Sequence, residues 1–161
     1  MMKTKHMGWA GALAAGAVMA VAAPTFAHKA FLDKARKMYE LDAKNGKCDL
    51  CHEIKAKEEP NAKNLNKYGK AVADDPDMKD LKGRKPAKKD DDCKFTDAEI
   101  KTLEKVLKKI ESADSDGDGA TNKEELALGS NPGDAKSMPD KKALAKYRKD
   151  NGGAPAAPTK K

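Results

Sequence analysis

Two cysteines and a histidine form the most chemically specific cluster in this sequence. They stand in the run Cys48-Asp49-Leu50-Cys51-His52, in which two residues separate the thiols and an imidazole follows the second one directly. Thiols at this spacing can reach both vinyl groups along one edge of a porphyrin, and the adjacent histidine is then placed beneath the ring to bind iron. Because C-x-x-C-H is the attachment signature of c-type haem, the motif predicts one covalent haem c.

Two other chemistries also use closely spaced cysteines. A thioredoxin-like dithiol would require a βαβ context, and no strand pattern precedes Cys48. A structural zinc site would have to combine Cys48, Cys51 and Cys93 with one histidine. Because Cys93 stands alone, the second half of that site lacks the paired spacing of zinc ligands. The residues therefore favour haem over a dithiol or zinc.

A second chemical pattern is the acidic, glycine-rich loop at residues 114–125, which matches D-x-[DN]-x-[DN]-G-x5-E at every position. Calcium takes six to eight hard oxygen ligands, and Gly119 stands where the loop must turn sharply. The alternative is an acidic linker without metal. The predicted Ca²⁺ ligands are three carboxylates, a backbone carbonyl, an amide oxygen and a bidentate carboxylate, in the order Asp114, Asp116, Asp118, Ala120, Asn122 and Glu125.

The N-terminus has the layout of a cleavable export signal at residues 1–27. Lys3 and Lys5 form a basic segment, Gly8 to Ala23 are mostly apolar, and Ala27 ends a cleavage site of small residues. A membrane anchor is disfavoured because the apolar run is short of the roughly 20 residues that span a bilayer. We expect an exported, periplasmic protein that is not integral to the membrane after cleavage. Haem c is assembled after export, so this prediction agrees with the cysteine motif.

The composition narrows the class of protein further. Of 161 residues, 37% are charged and only 4% aromatic, with a net charge of +7. A large aromatic-rich enzyme core and a polytopic membrane protein are both excluded by these values. For a small haem protein, the spread of lysines suggests transient docking to acidic redox partner proteins, and the alternative for each individual lysine is a solvated surface position. Nucleic-acid binding is not expected, because the chain has no aromatic stacking patch and no recognisable module.

The periodicity of apolar residues predicts an all-α fold. Asp74 to Lys94 should form a loop, and 150–161 a disordered tail. The domain plan is a signal peptide at 1–27, a haem domain at 28–112, a calcium segment at 113–138, and a basic helix with the tail at 139–161. Helices are expected at 30–43, 62–73, 97–112 (opened by a capping box at Thr96 and Glu99), 124–128 and 139–149.

These features together resemble a small monohaem cytochrome c of class I. The resemblance covers roughly 29–112 and rests on an N-terminal helix, C-x-x-C-H after it, and a closing helix with a Thr-Asp-x-Glu cap. It implies that Cys48 and Cys51 are thioether links and that His52 is the proximal iron ligand. The pattern departs from the family in lacking a Met-Pro pair between His52 and Thr96. The segment from Glu124 to Asp134 resembles the thrombospondin type 3-like calcium repeat of exported bacterial proteins, in which calcium is structural.

The sixth position on the iron is left open by the sequence. Met78 is the favoured distal ligand because it lies in the loop before the closing helix. An open or water-bound iron is an alternative to any protein ligand. The other candidates are Met38, Met138, His28 as the first mature residue, and Cys93.

We therefore expect a periplasmic one-electron carrier, not an enzyme. No catalytic constellation accompanies the predicted haem, since His28 is the sole candidate for a distal acid or base. One alternative is a peroxidase-like haem enzyme or sensor with an open distal position. Another is a surface or assembly module that calcium stabilises.

Overall fold

The computed structural model describes residues 29–56, 58–81 and 95–152. The expected signal peptide, His28, Cys93 and the end of the tail lie outside the described residues. The described part holds five α-helices and no strand, so the all-α prediction is confirmed. None of its helices has the length and apolar character needed to cross a membrane. The helices are α1 (Lys29–Tyr39), α2 (Lys67–Ala73), α3 (Asp97–Lys109), α4 (Asn122–Leu128) and α5 (Lys141–Asn151), with 3-10 turns at Cys48–Leu50 and Pro76–Met78.

The first helix ends four residues before the predicted Ala43. Glu40 adopts a left-handed conformation with φ of 52°. The Leu41 N–H then donates to the Arg36 carbonyl at 3.0 Å, a bond that closes the last turn in the manner of a Schellman motif. Leu41 packs against the apolar cluster as a result. The periodic pattern alone missed this end because Glu takes the place that glycine usually fills.

The second helix begins at Lys67 and not at 62, as the apolar pattern had indicated. Asn66 is its N-cap, and its side-chain oxygen accepts the Gly69 N–H at 2.8 Å. The preceding residues fold into a turn, in which the Asn61 N–H donates to the Asn64 side chain at 2.8 Å. Asparagine side chains thus compete with the helix for backbone donors before Asn66.

The later helices follow their predicted positions with shifted ends. The capping box of Thr96 and Glu99 opens α3 as expected. A second capping box, of Thr121 and Glu124, starts α4 two residues before the predicted 124. Asp140 caps α5 by accepting the N–H groups of Lys142 and Ala143. These caps fix where the calcium loop ends and where the basic helix begins.

One apolar cluster holds the described elements together. α1 packs across α3, and α3 packs on the 3-10 turn of Met78. Leu126 of α4 belongs to this same cluster, so the acidic loop is attached to the core that carries the cysteine motif. The buried members are Ala35, Leu50, Tyr68, Val72, Met78, Leu81, Leu103, Val106, Leu107 and Leu126.

Candidate functional site

The acidic loop brings three carboxylates to one point. Asp114, Asp116 and Asp118 each have a carboxylate oxygen within 4.8 Å of the others. The two oxygens of Asp114 accept the N–H groups of Gly117 at 2.7 Å and Gly119 at 3.0 Å. Both glycines have positive φ, at 84° and 97°. The backbone of the loop therefore wraps around the first carboxylate and aims the next two at the same space.

Several carboxylate oxygens at this point are buried without a hydrogen-bond partner. They are Oδ2 of Asp116, Oδ2 of Asp118 and both carboxylate oxygens of Glu125. Glu125 as a whole is 0% exposed. Buried polar atoms are normally paired, and an unpaired buried carboxylate is costly. A set of converging hard oxygens, one side chain offering two, is the donor set that calcium prefers. The loop therefore fits Ca²⁺ on the chemistry of its own atoms.

The pKa values of Glu125 and Asp116 are raised because these carboxyl groups are buried close to other carboxylates. Burial, followed by repulsion from Asp116, Asp118 and Asp114, raises the pKa of Glu125 from 4.5 to about 9. Burial and the charge of Asp118 raise the pKa of Asp116 from 3.8 to about 6. A divalent cation would relieve both effects, because it favours the ionised form of each ligand.

Two of the predicted calcium ligands, Asn122 and Ala120, form hydrogen bonds with the loop and with the end of α3. The side-chain oxygen of Asn122 accepts the Ser115 N–H at 3.2 Å, and its Nδ2 donates to the Ile110 carbonyl at 2.8 Å. Asn122 thus braces the loop against the end of α3. Ala120 is buried, and its N–H donates to Asp118 at 2.8 Å. Both residues lie within the loop, and their role as ligands stays a prediction.

Arg148 of α5 forms hydrogen bonds with two residues of the calcium loop. Its guanidinium donates to both carboxylate oxygens of Glu124, at 2.7 and 2.9 Å, and to the Gly119 carbonyl at 2.8 Å. Hydrogen bonds from Arg148 hold the pKa of Glu124 below its usual value. The role of Arg148 could not be predicted from the sequence, since nothing in a basic helix distinguishes one cation from its neighbours.

The cysteine motif forms a tight turn with two free thiols. Cys48–Leu50 is a 3-10 turn, and the His52 N–H donates to the Cys48 carbonyl at 3.0 Å. Neither Cys48 nor Cys51 is in a disulfide. Burial, with smaller contributions from Cys48 and Asp49, raises the pKa of Cys51 to about 12. A catalytic dithiol requires a thiolate, so this environment disfavours the redox-dithiol alternative.

The ring of His52 is held by an asparagine. Its Nδ1 lies 3.0 Å from the side-chain oxygen of Asn64. Burial lowers the pKa of His52, against hydrogen bonds with Asn64 and the Asn61 backbone that raise it. A protonated Nδ1 that donates to Asn64 leaves the lone pair on Nε2, the arrangement that metal-binding histidines adopt. Asn64 was not singled out from the sequence, because only folding brings it to His52.

The start of α2 holds the cysteine turn in place. The Asn66 side chain donates to the carbonyls of Asp49 at 2.9 Å and Leu50 at 3.0 Å. The Asn66 N–H donates to the Cys51 carbonyl at 2.9 Å. A Cβ on Gly69 would lie 2.1 Å from that same carbonyl oxygen, so only glycine allows this approach. Neither Asn66 nor Gly69 was recognised from the sequence.

The candidates for the distal position are placed differently. Met78 is 2% exposed and belongs to the apolar cluster against which Cys51 packs. Met38 is partly buried and packs against that cluster as well. Met138 is 41% exposed and lies at the surface. His28 and Cys93 fall outside the described residues. Met78 and Met38 are thus the described thioethers that share the cluster with Cys51.

Comparison with known proteins identifies one part of the chain. Residues 114–135 match the family described as the bacterial TSP3 repeat. The match covers the acidic loop, α4 and the turn after it, and the repeat is of the calcium-binding type. No curated protein and no solved structure matches the chain. The segment is therefore a calcium-binding repeat, in agreement with the resemblance drawn from Glu124 to Asp134.

Proposed function

We propose that this protein is an exported one-electron carrier with a covalent haem c at Cys48 and Cys51 and a structural calcium ion in the 114–125 loop. The observation that carries the proposal is the C-x-x-C-H turn, in which two free thiols precede a histidine whose ring is held by Asn64. The proposal includes docking to acidic redox partners and no enzymatic turnover of its own.

The residues around the turn fit the group that they would hold. Haem supplies one-electron chemistry at iron when it is bound. His52 would present Nε2 to the iron, while Asn64 fixes the ring and makes the imidazole a stronger donor. Leu50 and Met78, both 2% exposed, belong to the apolar cluster beside the turn, which would supply apolar surroundings for the group. Met78 remains the distal ligand that we propose.

The covalent haem is tested by expressing the full chain with haem c maturation machinery. We expect a haem stain that survives denaturation and the absorption bands of a low-spin c-type haem. The variant carrying Cys48→Ser and Cys51→Ser should express without the stain. A matched control, Ser112→Ala at an exposed site, should leave the stain unchanged. Wild-type protein without covalent haem would contradict the proposal.

The calcium site is proposed to be structural and to join the end of α3 to the C-terminal helices. The Asn122 bonds to Ile110 and Ser115 and the Arg148 bond to Gly119 are the links that an ordered loop maintains. Chelation should lower the midpoint of thermal unfolding and expose the region after Lys109 to proteolysis. A midpoint and a digestion pattern that both resist chelation would count against this role.

A calcium-stabilised surface or assembly module is a second candidate, favoured by the repeat match itself. Its distinguishing result is calcium-dependent oligomerisation on a sizing column by a protein that carries no haem.

A peroxidase-like haem enzyme is distinguished from a carrier by the binding of carbon monoxide. A reduced haem that stays low-spin and does not bind carbon monoxide supports the carrier.

A further inference from the structure

The calcium repeat reaches the cysteine turn directly. The Nδ2 of Asn131, which lies inside the matched repeat, donates to the Asp49 carbonyl at 2.8 Å. Asp49 stands between the two cysteines, so this bond joins the repeat to the backbone of the motif. The Asn131 side-chain oxygen is engaged as well, since it accepts the Gly133 N–H at 3.0 Å. The amide is therefore held in place from within the repeat.

A second contact reaches the residue that holds the cysteine turn. A Cβ on Gly133 would lie 2.3 Å from Nδ2 of Asn66. That amide nitrogen is the donor to the carbonyls of Asp49 and Leu50. The repeat backbone at Gly133 thus packs against the side-chain amide of Asn66, and this same amide donates to the cysteine turn.

Lys67, the first residue of α2, contacts the calcium loop itself. Nζ of Lys67 donates to the Asp116 carbonyl at 2.5 Å, and Asp116 is one of the three clustered carboxylates. Consecutive residues at the start of α2 therefore touch the two sites: the N-cap Asn66 contacts the cysteine turn, and Lys67 contacts the calcium loop. Because the Asn66 N–H donates to the Cys51 carbonyl, the start of α2 connects the calcium loop to the cysteine turn.

We infer that the calcium repeat is a positioning element for the Cys48–His52 turn, acting through Asn131 and Gly133, so that calcium binding and the chemistry of the two thiols are coupled. The coupling rests on the contacts above. The effect of this coupling on a haem-bound protein also rests on the proposed function. Because such coupling is reciprocal, occupancy of the cysteine turn must change calcium affinity by the same factor that calcium changes binding there.

The coupling is tested first on the full chain produced without haem. Alkylation of Cys48 and Cys51 by iodoacetamide is followed by peptide mass spectrometry, with and without saturating Ca²⁺. We expect calcium to slow modification of Cys51 by about tenfold, within the usual range of coupling between sites. The variant Asn131→Ala should reduce that effect to less than about twofold while still binding Ca²⁺ by calorimetry. Asn151→Ala, which removes a surface amide from α5, is the matched control and should behave as wild type.

A second measurement uses the protein with haem attached. Its reduction potential should change when calcium is removed, and Asn131→Ala should diminish that change. Equal alkylation rates and equal potentials with and without bound Ca²⁺ would overturn the inference, as would the absence of Ca²⁺ binding. If no haem attaches, the proposed function fails, and the alkylation result still decides the coupling. If circular dichroism shows that the haem-free chain is unfolded, the potential decides it.

Discussion

Arg148 forms a bidentate ion pair with Glu124, with Nε 2.7 Å from Oε1 and Nη2 2.9 Å from Oε2. The pair is largely shielded from water, since the Arg148 side chain is 22% exposed and that of Glu124 4%. Glu124 also accepts the Thr121 N–H at 2.8 Å, so one carboxylate caps α4 and anchors α5. The calcium module therefore extends past the matched residues 114–135 and includes the last described helix.

Loss of this ion pair should weaken the calcium site. Arg148→Ala leaves a buried carboxylate and the Gly119 carbonyl without their donor, which we expect to cost about 2 kcal/mol of stability. If about 1.4 kcal/mol of that loss weakens the binding free energy of Ca²⁺ in the loop, calcium affinity should fall about tenfold. Arg148→Lys should be intermediate, because an ammonium cannot form the paired bonds. Calorimetric Ca²⁺ titration and urea unfolding measure the two effects.

The control for Arg148 is a charge pair on the same helix. Lys146 and Asp150 lie 2.8 Å apart on the exposed face of α5. Lys146→Ala should change stability by no more than about 0.5 kcal/mol. An Arg148→Ala variant with wild-type calcium affinity would show that α5 is not part of the module.

The calcium-free protein should lose stability as the pH rises. The pKa of Glu125 is raised from 4.5 to about 9, so the folded state binds its proton more tightly than the unfolded state. The stabilisation is complete below about pH 4.5 and is lost through about pH 9, at about 1.4 kcal/mol per pKa unit. Saturating calcium should remove the loss, because Ca²⁺ binds the ionised carboxylate. Urea unfolding with chelator across this pH range measures the effect.

Glu125→Gln provides the matched variant for this pH dependence. The amide is close in shape and stays neutral, so the calcium-free variant should be more stable than wild type at pH 8 and much less dependent on pH. Calcium affinity should fall by at least about tenfold because a bidentate ligand is lost. A calcium-free wild type whose stability rises between pH 5 and 9 would contradict the assignment.

Gly69 should tolerate no side chain. Because a Cβ would lie 2.1 Å from the Cys51 carbonyl oxygen, Gly69→Ala must push α2 away from the cysteine turn. We expect a loss of about 3 kcal/mol, at the upper end for overpacking. The neighbouring exposed Lys70→Ala should stay within about 0.5 kcal/mol of wild type. Thermal unfolding measures both, and equal midpoints would show that the contact does not constrain the turn.

Met78→Leu separates packing from iron ligation. Met78 is 2% exposed, and leucine conserves most of its volume, so the fold should lose less than about 1.5 kcal/mol. If its thioether is the distal ligand, the variant should become high-spin and its reduction potential should fall. Met38→Leu is the control within the same cluster. An unchanged absorption spectrum and potential would exclude Met78 as the ligand.

The two motifs could be recognised from the sequence because the residues of each are adjacent in the chain. The cysteine turn spans five residues and the acidic loop twelve, so local spacing alone reveals each motif. The helices followed from periodicity, but their ends did not, as the left-handed Glu40 and the Asn66 cap show. Ends depend on competition between side chains and backbone, which a periodic pattern does not contain.

The sequence by itself determined which reactive groups this protein carries in close succession, namely the thiols, the imidazole and the carboxylates of the acidic loop, and it determined the all-α class. Only the tertiary structure decided which residues support that chemistry. Asn64 meets His52, Arg148 meets Glu124, and Asn131 meets Asp49 across 82 positions. Such partners are distant in the chain and ordinary in type, so only packing on the shared apolar cluster brings them together.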